Sequence, residues 1–278
     1  MVKALVILLL TVAVFGSATF FIYDLYVKPE QALRAEKQRG PAPPPPDPSL
    51  PDFALCVELG KKGDTGATRA ALIAFLEHVP RSSQADEARD LLGEINANLF
   101  FSQAPAPEKQ IYIVAKNDVL NRVAMRTKST PELIFRSNNL TGSMLRIGQK
   151  LVIAPADFSA VVSPREKKVT LFNAKRFFKH YRILATPGRD TSTATATPKR
   201  VGKVVAKIAI DDTGNRVTFL DKGYSGASHE VSISVPGHSL YTVQPDAKSA
   251  PRSGLGLSPE DMQEIAVLLK KNDPVTIE

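Results

Sequence analysis

The sequence predicts an α+β multidomain protein: an N-terminal transmembrane helix, a small helical hairpin, a βααβ module and a mainly-β C-terminal domain. Three observations predict this order: an apolar run near the N-terminus, apolar residues at helical spacing after it, and β-branched runs of strand length from Phe158 onward. The predicted boundaries are 1–27 for the transmembrane anchor, 28–52 for a Pro-rich linker, 53–101 for the hairpin, 109–155 for the module and 157–278 for the last domain.

The N-terminal segment is an almost unbroken apolar run from Ala4 to Tyr23, which is long enough to span a bilayer. The small residues 16–18 leave a cleavable signal peptide as an alternative. Because the apolar run continues past them to Tyr23, we favour an uncleaved anchor. The prolines between Gln31 and Asp52 predict an extended, semi-rigid spacer.

Residues 53–99 have apolar positions at helical spacing on both sides of Pro80, which predicts a helical hairpin. The segment resembles about one and a half tetratricopeptide units, with no further copies in the chain. Such hairpins are packing or docking modules, so a protein partner on residues 53–99 is one hypothesis. Cys56 lies on the first apolar helix and is expected to be a buried filler.

The charge of the chain is +8 and is concentrated in its middle. Residues 157–210 carry 12 Lys and Arg against 3 Asp and Glu, whereas residues 211–278 carry 6 against 10. The cationic middle predicts attraction to polyanions such as wall carboxylates and anionic lipids, and the predicted anchor argues against nucleic acid. A single cysteine excludes an internal disulfide, and with four unclustered histidines it predicts neither a metal site nor a cofactor.

The stretch from Gln110 to Ala154 is the most informative part of the chain. A strand at 111–114, a helix from Asp118 as its cap, a second helix started by Thr130-Pro131 and ended by Asn138-Asn139, and a closing strand at 150–153 form one compact unit. This unit resembles the LysM module, which binds the N-acetylglucosamine-containing glycan of peptidoglycan and chitin. The matching segments are 112–114, 118, 120, 123–124, 133–134, 138–140 and 147–151.

The resemblance implies a shallow glycan groove between two loops of the module. The implied binding residues are Asn117, Asp118, Val119, Leu120, Leu140, Thr141, Gly142, Ser143, Met144 and Ile147. Ordinary core packing is the alternative for Leu120 and Ile147. Asn117 stands where the family has glycine, and asparagine tolerates the left-handed backbone that the turn needs.

From Phe158 the sequence predicts strands at 160–162, 169–172, 176–178, 181–184, 204–210, 216–220, 231–235 and 240–243, then a helix capped by Ser258 and a last strand at 274–277. This order resembles the catalytic domain of L,D-transpeptidases, the cysteine enzymes that crosslink peptidoglycan stem peptides. Thr197-Pro198 and the ending from Leu257 to Ile277 also match that family.

The resemblance places the family's Ser-His-Gly-Cys-x-Arg motif just before the last helix, where this chain has Pro251 to Leu257. Gly254 then occupies the cysteine position, Arg252 the histidine position and Gly256 the arginine position. His238 corresponds to an upstream family histidine, but it has no thiol to activate. We therefore predict a degenerate site at His238, Arg252, Ser253, Gly254 and Gly256, with no catalytic residue.

These patterns together predict a bacterial cell-envelope protein, anchored in the cytoplasmic membrane with its folded domains exported, that binds peptidoglycan through the LysM module. The C-terminal domain would be a transpeptidase-like fold without the reaction. Two alternatives remain open: an active crosslinking enzyme with an unconventional nucleophile such as Ser253, and an envelope scaffold that acts through its helical hairpin.

Overall fold

The computed structural model describes residues 23–31, 34, 47–186, 199–243 and 254–278. The chain divides into two compact units, 1–47 and 48–278. In the first unit, Tyr23–Val27 forms a π-helix that continues as helical backbone to Gln31. No helix within the described stretches is long and apolar enough to cross a membrane. The predicted anchor lies outside the described residues except at its end, and most of the predicted spacer also lies outside them.

The second unit begins with three helices, α1 (Leu50–Lys61), α2 (Thr65–His78) and α3 (Ala85–Phe100). The prediction of a hairpin missed one helix. The prediction of an extended spacer over 28–52 was wrong at both of its ends, because residues 28–31 are helical and α1 starts at Leu50. Pro51 lies in the first turn of α1, where its missing N–H costs nothing. The three helices share an apolar core that includes Phe53, Cys56 and Leu72. Cys56 is buried, as the sequence predicted.

Helix α3 packs against strand β5 (Arg176–Arg182) at one edge of the large sheet. The Asn96 side-chain amide donates to the Phe178 carbonyl oxygen at 2.8 Å, and a Cβ on Gly93 would meet Lys179 Cγ at 2.9 Å. Phe100 makes an edge contact with Phe178 at 5.0 Å between ring centres. The helical segment therefore uses one of its helices to cover the sheet.

The βααβ order of the module is confirmed. Strand β1 (Gln110–Ile113) pairs antiparallel with β2 (Lys150–Ile153), and helices α4 (Leu120–Arg126) and α5 (Pro131–Ser137) lie between them in sequence. The Thr130 hydroxyl accepts a hydrogen bond from the Leu133 N–H at 3.0 Å, which is the predicted cap. Asp118 does not cap α4; Val119 holds that position, and the Asp118 carboxylate points back to the Ala115 N–H instead.

The C-terminal part forms an eight-stranded sheet in the order β5-β4-β3-β10-β6-β7-β8-β9. The remaining elements are β3 (Phe158–Ser163), β4 (Lys168–Asn173), β6 (Arg200–Ile210), β7 (Ser228–Ile233), β8 (Leu240–Thr242), β9 (Leu255–Leu257), α6 (Pro259–Leu268) and β10 (Pro274–Ile277). The last strand lies inside the sheet, parallel to β3 and antiparallel to β6. The end of the chain therefore holds the two parts of the sheet together.

Three strand predictions for this domain were wrong. The run at 176–178 and residues 181–182 belong to the single strand β5, whereas residues 183–184 lie outside it. Residues 216–220 form no strand beyond one bridge from Arg216 to Ile210. Strand β9 was missed because its sequence, Leu-Gly-Leu, is too short and too glycine-rich to give a strand signal. The predicted Asn173–Lys175 turn is confirmed, with Ala174 and Lys175 both at positive φ (48° and 64°).

The βααβ module packs against the C-terminal part through α5, α6 and Phe219. Leu133 of α5 belongs to the core of the C-terminal part, while the next residue, Ile134, belongs to the core of the module. The Thr130 hydroxyl donates to the Val267 carbonyl oxygen at 2.9 Å, and Phe219 packs onto the core of the module. Through these contacts the module packs directly against the C-terminal part.

Candidate functional site

The first candidate site consists of two loops of the βααβ module, residues 115–119 and 140–148. The Val114 N–H donates to the Gln149 carbonyl oxygen at 2.9 Å, and the Gly148 N–H donates to the Val114 carbonyl oxygen at 2.8 Å. Because these bonds join the start of one loop to the end of the other, the loops lie side by side. Asn117 and Gly148 adopt positive φ (68° and 83°), so the predicted left-handed turn at Asn117 is confirmed.

Apolar side chains protrude from both loops into solvent. Val119 is 53% exposed, Ile147 72% and Met144 92%. The polar or small residues Asn117, Thr141, Gly142 and Ser143 are also exposed. Leu140 is half-buried against the core of the module, and Leu120 is 4% exposed within it. Leu120 is therefore a core residue and cannot contact a ligand at this surface.

Asp118 organises the first loop. Its carboxylate accepts hydrogen bonds from the Tyr112 hydroxyl at 2.7 Å and the Ala115 N–H at 2.8 Å, and the Arg126 guanidinium lies 3.2 Å away. The Tyr112 hydroxyl, followed by the Ala115 amide, lowers the pKa of this carboxyl. Because its oxygens already accept these hydrogen bonds, Asp118 stabilises the conformation of the loop and is not available to a ligand.

Asn138 ties the second helix of the module to its second strand. Its side-chain amide exchanges two hydrogen bonds with the backbone of Val152, at 2.7 and 2.8 Å, and also donates to the Ile134 carbonyl oxygen at 2.9 Å. The sequence predicted only that Asn138 ends a helix. Its buried structural role has no local sequence signal, because Val152 is far away along the chain.

The second candidate site lies where β8 and β9 begin. These strands run parallel with Leu240 opposite Leu255, so His238 and Gly254 precede neighbouring strand ends. The Leu255 N–H donates to the Ser239 carbonyl oxygen at 2.8 Å, directly between the two positions. His238 Nδ1 lies 2.8 Å from the Pro236 carbonyl oxygen, which requires a proton on Nδ1. Arg252 and Ser253 lie outside the described residues.

The two glycines of this site have no room for a side chain. Gly254 has a φ of +149°, and a Cβ on it would lie 2.5 Å from the Ser239 carbonyl oxygen, the acceptor for Leu255. A Cβ on Gly256 would overlap Val243 Cγ2 and lie 3.0 Å from Ala185 Cβ. A cysteine at Gly254 or an arginine at Gly256 would therefore require the backbone to move.

The one cysteine of the chain belongs to another part of the molecule. Cys56 is 3% exposed in the core of α1–α3, whereas Gly254 lies beside β8. Burial raises the pKa of the Cys56 thiol and disfavours the nucleophilic thiolate. Within the described stretches, no group of three or more His, Cys, Asp or Glu side chains is arranged to hold a metal ion.

The LysM family model matches residues 112–154. This span covers the second half of β1, both helices, both exposed loops and β2. The LysM resemblance seen in the sequence is therefore confirmed for this part of the chain, which we call the LysM module from here on.

Solved structures show a distant similarity to L,D-transpeptidases. The chain is similar to Mycobacterium tuberculosis L,D-transpeptidase 1, with 12% identity over 46% of this chain and 66% of that chain, at a TM-score of 0.29. It is similar to an L,D-transpeptidase from Stackebrandtia nassauensis, with 15% identity over 44% of this chain and 55% of that chain, at a TM-score of 0.30.

A third similar structure is a fused Zn-dependent amidase/peptidase/peptidoglycan-binding domain-containing protein from Clostridium acetobutylicum. The identity is 13% over 44% of this chain and 52% of that chain, at a TM-score of 0.30. The chain thus matches only part of each of these proteins.

Proposed function

We propose that the chain is a cell-envelope protein that binds the N-acetylglucosamine-containing glycan of peptidoglycan through its LysM module. The observation that carries this proposal is the pair of adjacent loops within the matched span, which expose Val119, Met144 and Ile147. Large apolar side chains held in solvent can cover the faces of sugar rings, and the neighbouring backbone amides and Asn117 can bond N-acetyl groups.

A matched pair of methionines tests the proposed surface. Met144 and Met125 are both strongly exposed, 92% and 76%, but only Met144 lies in one of the two loops. We expect Met144→Gln to weaken binding of the full chain to purified peptidoglycan by roughly tenfold, the size of one partly buried apolar contact. Met125→Gln should leave binding unchanged. Equal effects of the two substitutions would contradict the proposed surface.

The C-terminal part is proposed to lack crosslinking activity. The sequence resemblance implies that Gly254 stands at the position of the family's nucleophile. Its backbone leaves no space for a Cβ, and Cys56 is buried elsewhere. Incubating the full chain with purified peptidoglycan and analysing the products for new crosslinks tests this part of the proposal. We expect none. Crosslinks that persist in Cys56→Ala and disappear in Ser253→Ala would instead support the serine alternative.

The localisation proposed is the cytoplasmic membrane, with the folded part exported toward the wall. The apolar run from Ala4 to Tyr23 and a LysM module on the same chain support this arrangement. Protease added outside spheroplasts should digest the chain, while protease confined to the cytoplasmic side should not. The opposite pattern would rule out the exported orientation.

A further inference from the structure

The two sheets of the molecule have four edge strands, and three of these edges bond to groups outside the sheet. At the β5 edge, α3 packs against the strand and the Asn96 amide donates to the Phe178 carbonyl oxygen. At the β9 edge, backbone hydrogen bonds join the strand to residues 184–185. At the outer side of β2, the Asn138 side chain bonds both the N–H and the C=O of Val152.

The fourth edge, the outer side of β1, is open. The Val114 N–H donates to Gln149 across the end of the β1–β2 pair. Because hydrogen-bonded and non-hydrogen-bonded pairs alternate along an antiparallel ladder, Tyr112 also faces β2 with its backbone groups. Ile111 and Ile113 therefore direct their N–H and C=O groups away from β2. Within the described stretches, no other segment bonds the backbone of either isoleucine.

The side chains of β1 leave this edge apolar and uncharged. Ile111 is 70% exposed and Ile113 61%, whereas Tyr112 between them packs onto the core of the module. Edge strands are commonly protected from pairing by a charged side chain, a proline or a β-bulge, and the sequence Gln-Ile-Tyr-Ile of β1 has none of these. The preceding Lys109 does not protect the edge either, since its ammonium group donates to the carbonyl oxygens of residues 102 and 104.

We propose that β1 pairs antiparallel with β1 of a second copy of this chain, about a two-fold axis beside Tyr112. In this register Ile111 of each copy lies opposite Ile113 of the other, and each such pair exchanges both of its N–H···O bonds. The pairing satisfies every backbone group that the two open edges present. It also brings the exposed isoleucines of both copies together on one face of a four-stranded sheet.

A second copy is the occupant that fits because the open edge is complementary to itself. Its two outward-facing residues are identical and stand symmetrically about Tyr112, so one two-fold axis pairs both of them at once. The contact is short and lies at the low end of interface sizes, so the dimer is weak in solution and forms where the chain is concentrated. If the glycan function proposed above holds, the dimer carries two LysM modules and binds a polymer bivalently.

Cysteine crosslinking of the purified full chain in mild detergent tests the register. A mixture of Ile111→Cys and Ile113→Cys chains should form disulfide dimers, since these positions face each other at about 5.5 Å between Cα atoms. Each variant alone should stay uncrosslinked, because identical positions then lie on a diagonal of about 7–8 Å. The native chain, whose Cys56 is buried, gives the background. No dimer in the mixture, or equal crosslinking of the separate variants, overturns the proposal.

A lysine on the edge tests the strength of the pairing. We expect Ile113→Lys to raise the monomer–dimer dissociation constant at least about tenfold, measured by sedimentation equilibrium in density-matched detergent, since each dimer loses two apolar contacts. Val201→Lys is the matched control, because Val201 is 73% exposed on β6 and gains the same charge. A native chain that stays monomeric, or equal shifts for the two variants, overturns the proposal. Both tests omit glycan, so their outcome is independent of the proposed glycan binding.

Discussion

The LysM loops and the β8–β9 ends differ in how their surfaces are used. In the loops, groups behind the surface such as Asp118 and Asn138 hold the structure, and the apolar tips of Met144 and Ile147 stay free. At the β8–β9 ends, neighbouring backbone and side chains occupy the space around Gly254 and Gly256. The LysM loops therefore expose a surface that a ligand can reach, whereas the β8–β9 ends are closely packed.

This difference shows what a family resemblance can carry over. Asn117 adopts the left-handed backbone conformation that the sequence predicted for this turn, so a residue other than glycine keeps the geometry of the loop. A nucleophile position has no such substitute, because its function needs a particular atom with free space around it.

The largest effect is expected from Gly254→Ala. The new Cβ would lie 2.5 Å from the Ser239 carbonyl oxygen in a backbone conformation that suits only glycine. Overpacking and backbone strain together predict a loss of roughly 2–5 kcal/mol in the free energy of unfolding. Gly142→Ala in the LysM loop is the control, since a Cβ added there would meet nothing within 4 Å. Equal unfolding temperatures for the two variants would contradict the close packing at β9.

Asn138→Ala should destabilise the LysM module by about 1–3 kcal/mol, the cost of leaving buried backbone groups of Val152 and Ile134 without partners. Chemical denaturation of the full chain measures this loss. Asn139→Ala serves as a neighbouring control, because Asn139 is exposed, although its positive φ (49°) predicts a smaller loss of its own. A larger loss for Asn139→Ala would show that the amide of Asn138 contributes little.

A smaller effect, dependent on pH, is expected from Asp118→Ala. The Tyr112 hydroxyl and the Ala115 amide lower the pKa of Asp118 in the folded chain, so the folded state binds fewer protons there than the unfolded state. Asp118 therefore stabilises the fold above its ordinary value of about 3.9, and this contribution is lost as the pH falls through the lowered pKa. Unfolding temperatures of native and variant chains should differ at pH 7 and converge toward pH 2. A constant difference across that range would contradict this role of Asp118.

Local patterns predicted the LysM module well because its signals are local. The cap at Thr130, the proline after it and the left-handed Asn117 each act over a few residues, and all are found. The prediction that Asp118 caps α4 was wrong, since an aspartate side chain can accept a hydrogen bond either from the helix that follows it or from the turn before it. For Leu120 the sequence left both glycan contact and core packing open. The structure selects core packing, because Leu120 is the first residue of α4 and is buried.

The C-terminal part was harder to predict because long-range pairing decides it. Strand β9 exists only through its neighbours β8 and Ala185, and residues 216–220 have strand-like composition but end in turns. The sequence therefore predicted which helices and strands form and which residues stand at the positions of a family site. The amount of space around those residues is visible only in the folded structure.

The most direct test of glycan recognition is co-sedimentation of the full chain with insoluble peptidoglycan at low and at high salt. Salt screens attraction between exposed charges, so binding through sugar contacts should persist at high salt, whereas attraction to the cationic middle should not. We predict retention at both salt concentrations, with loss on Met144→Gln and not on Met125→Gln. Retention only at low salt, or no retention at all, would contradict glycan recognition by the LysM loops.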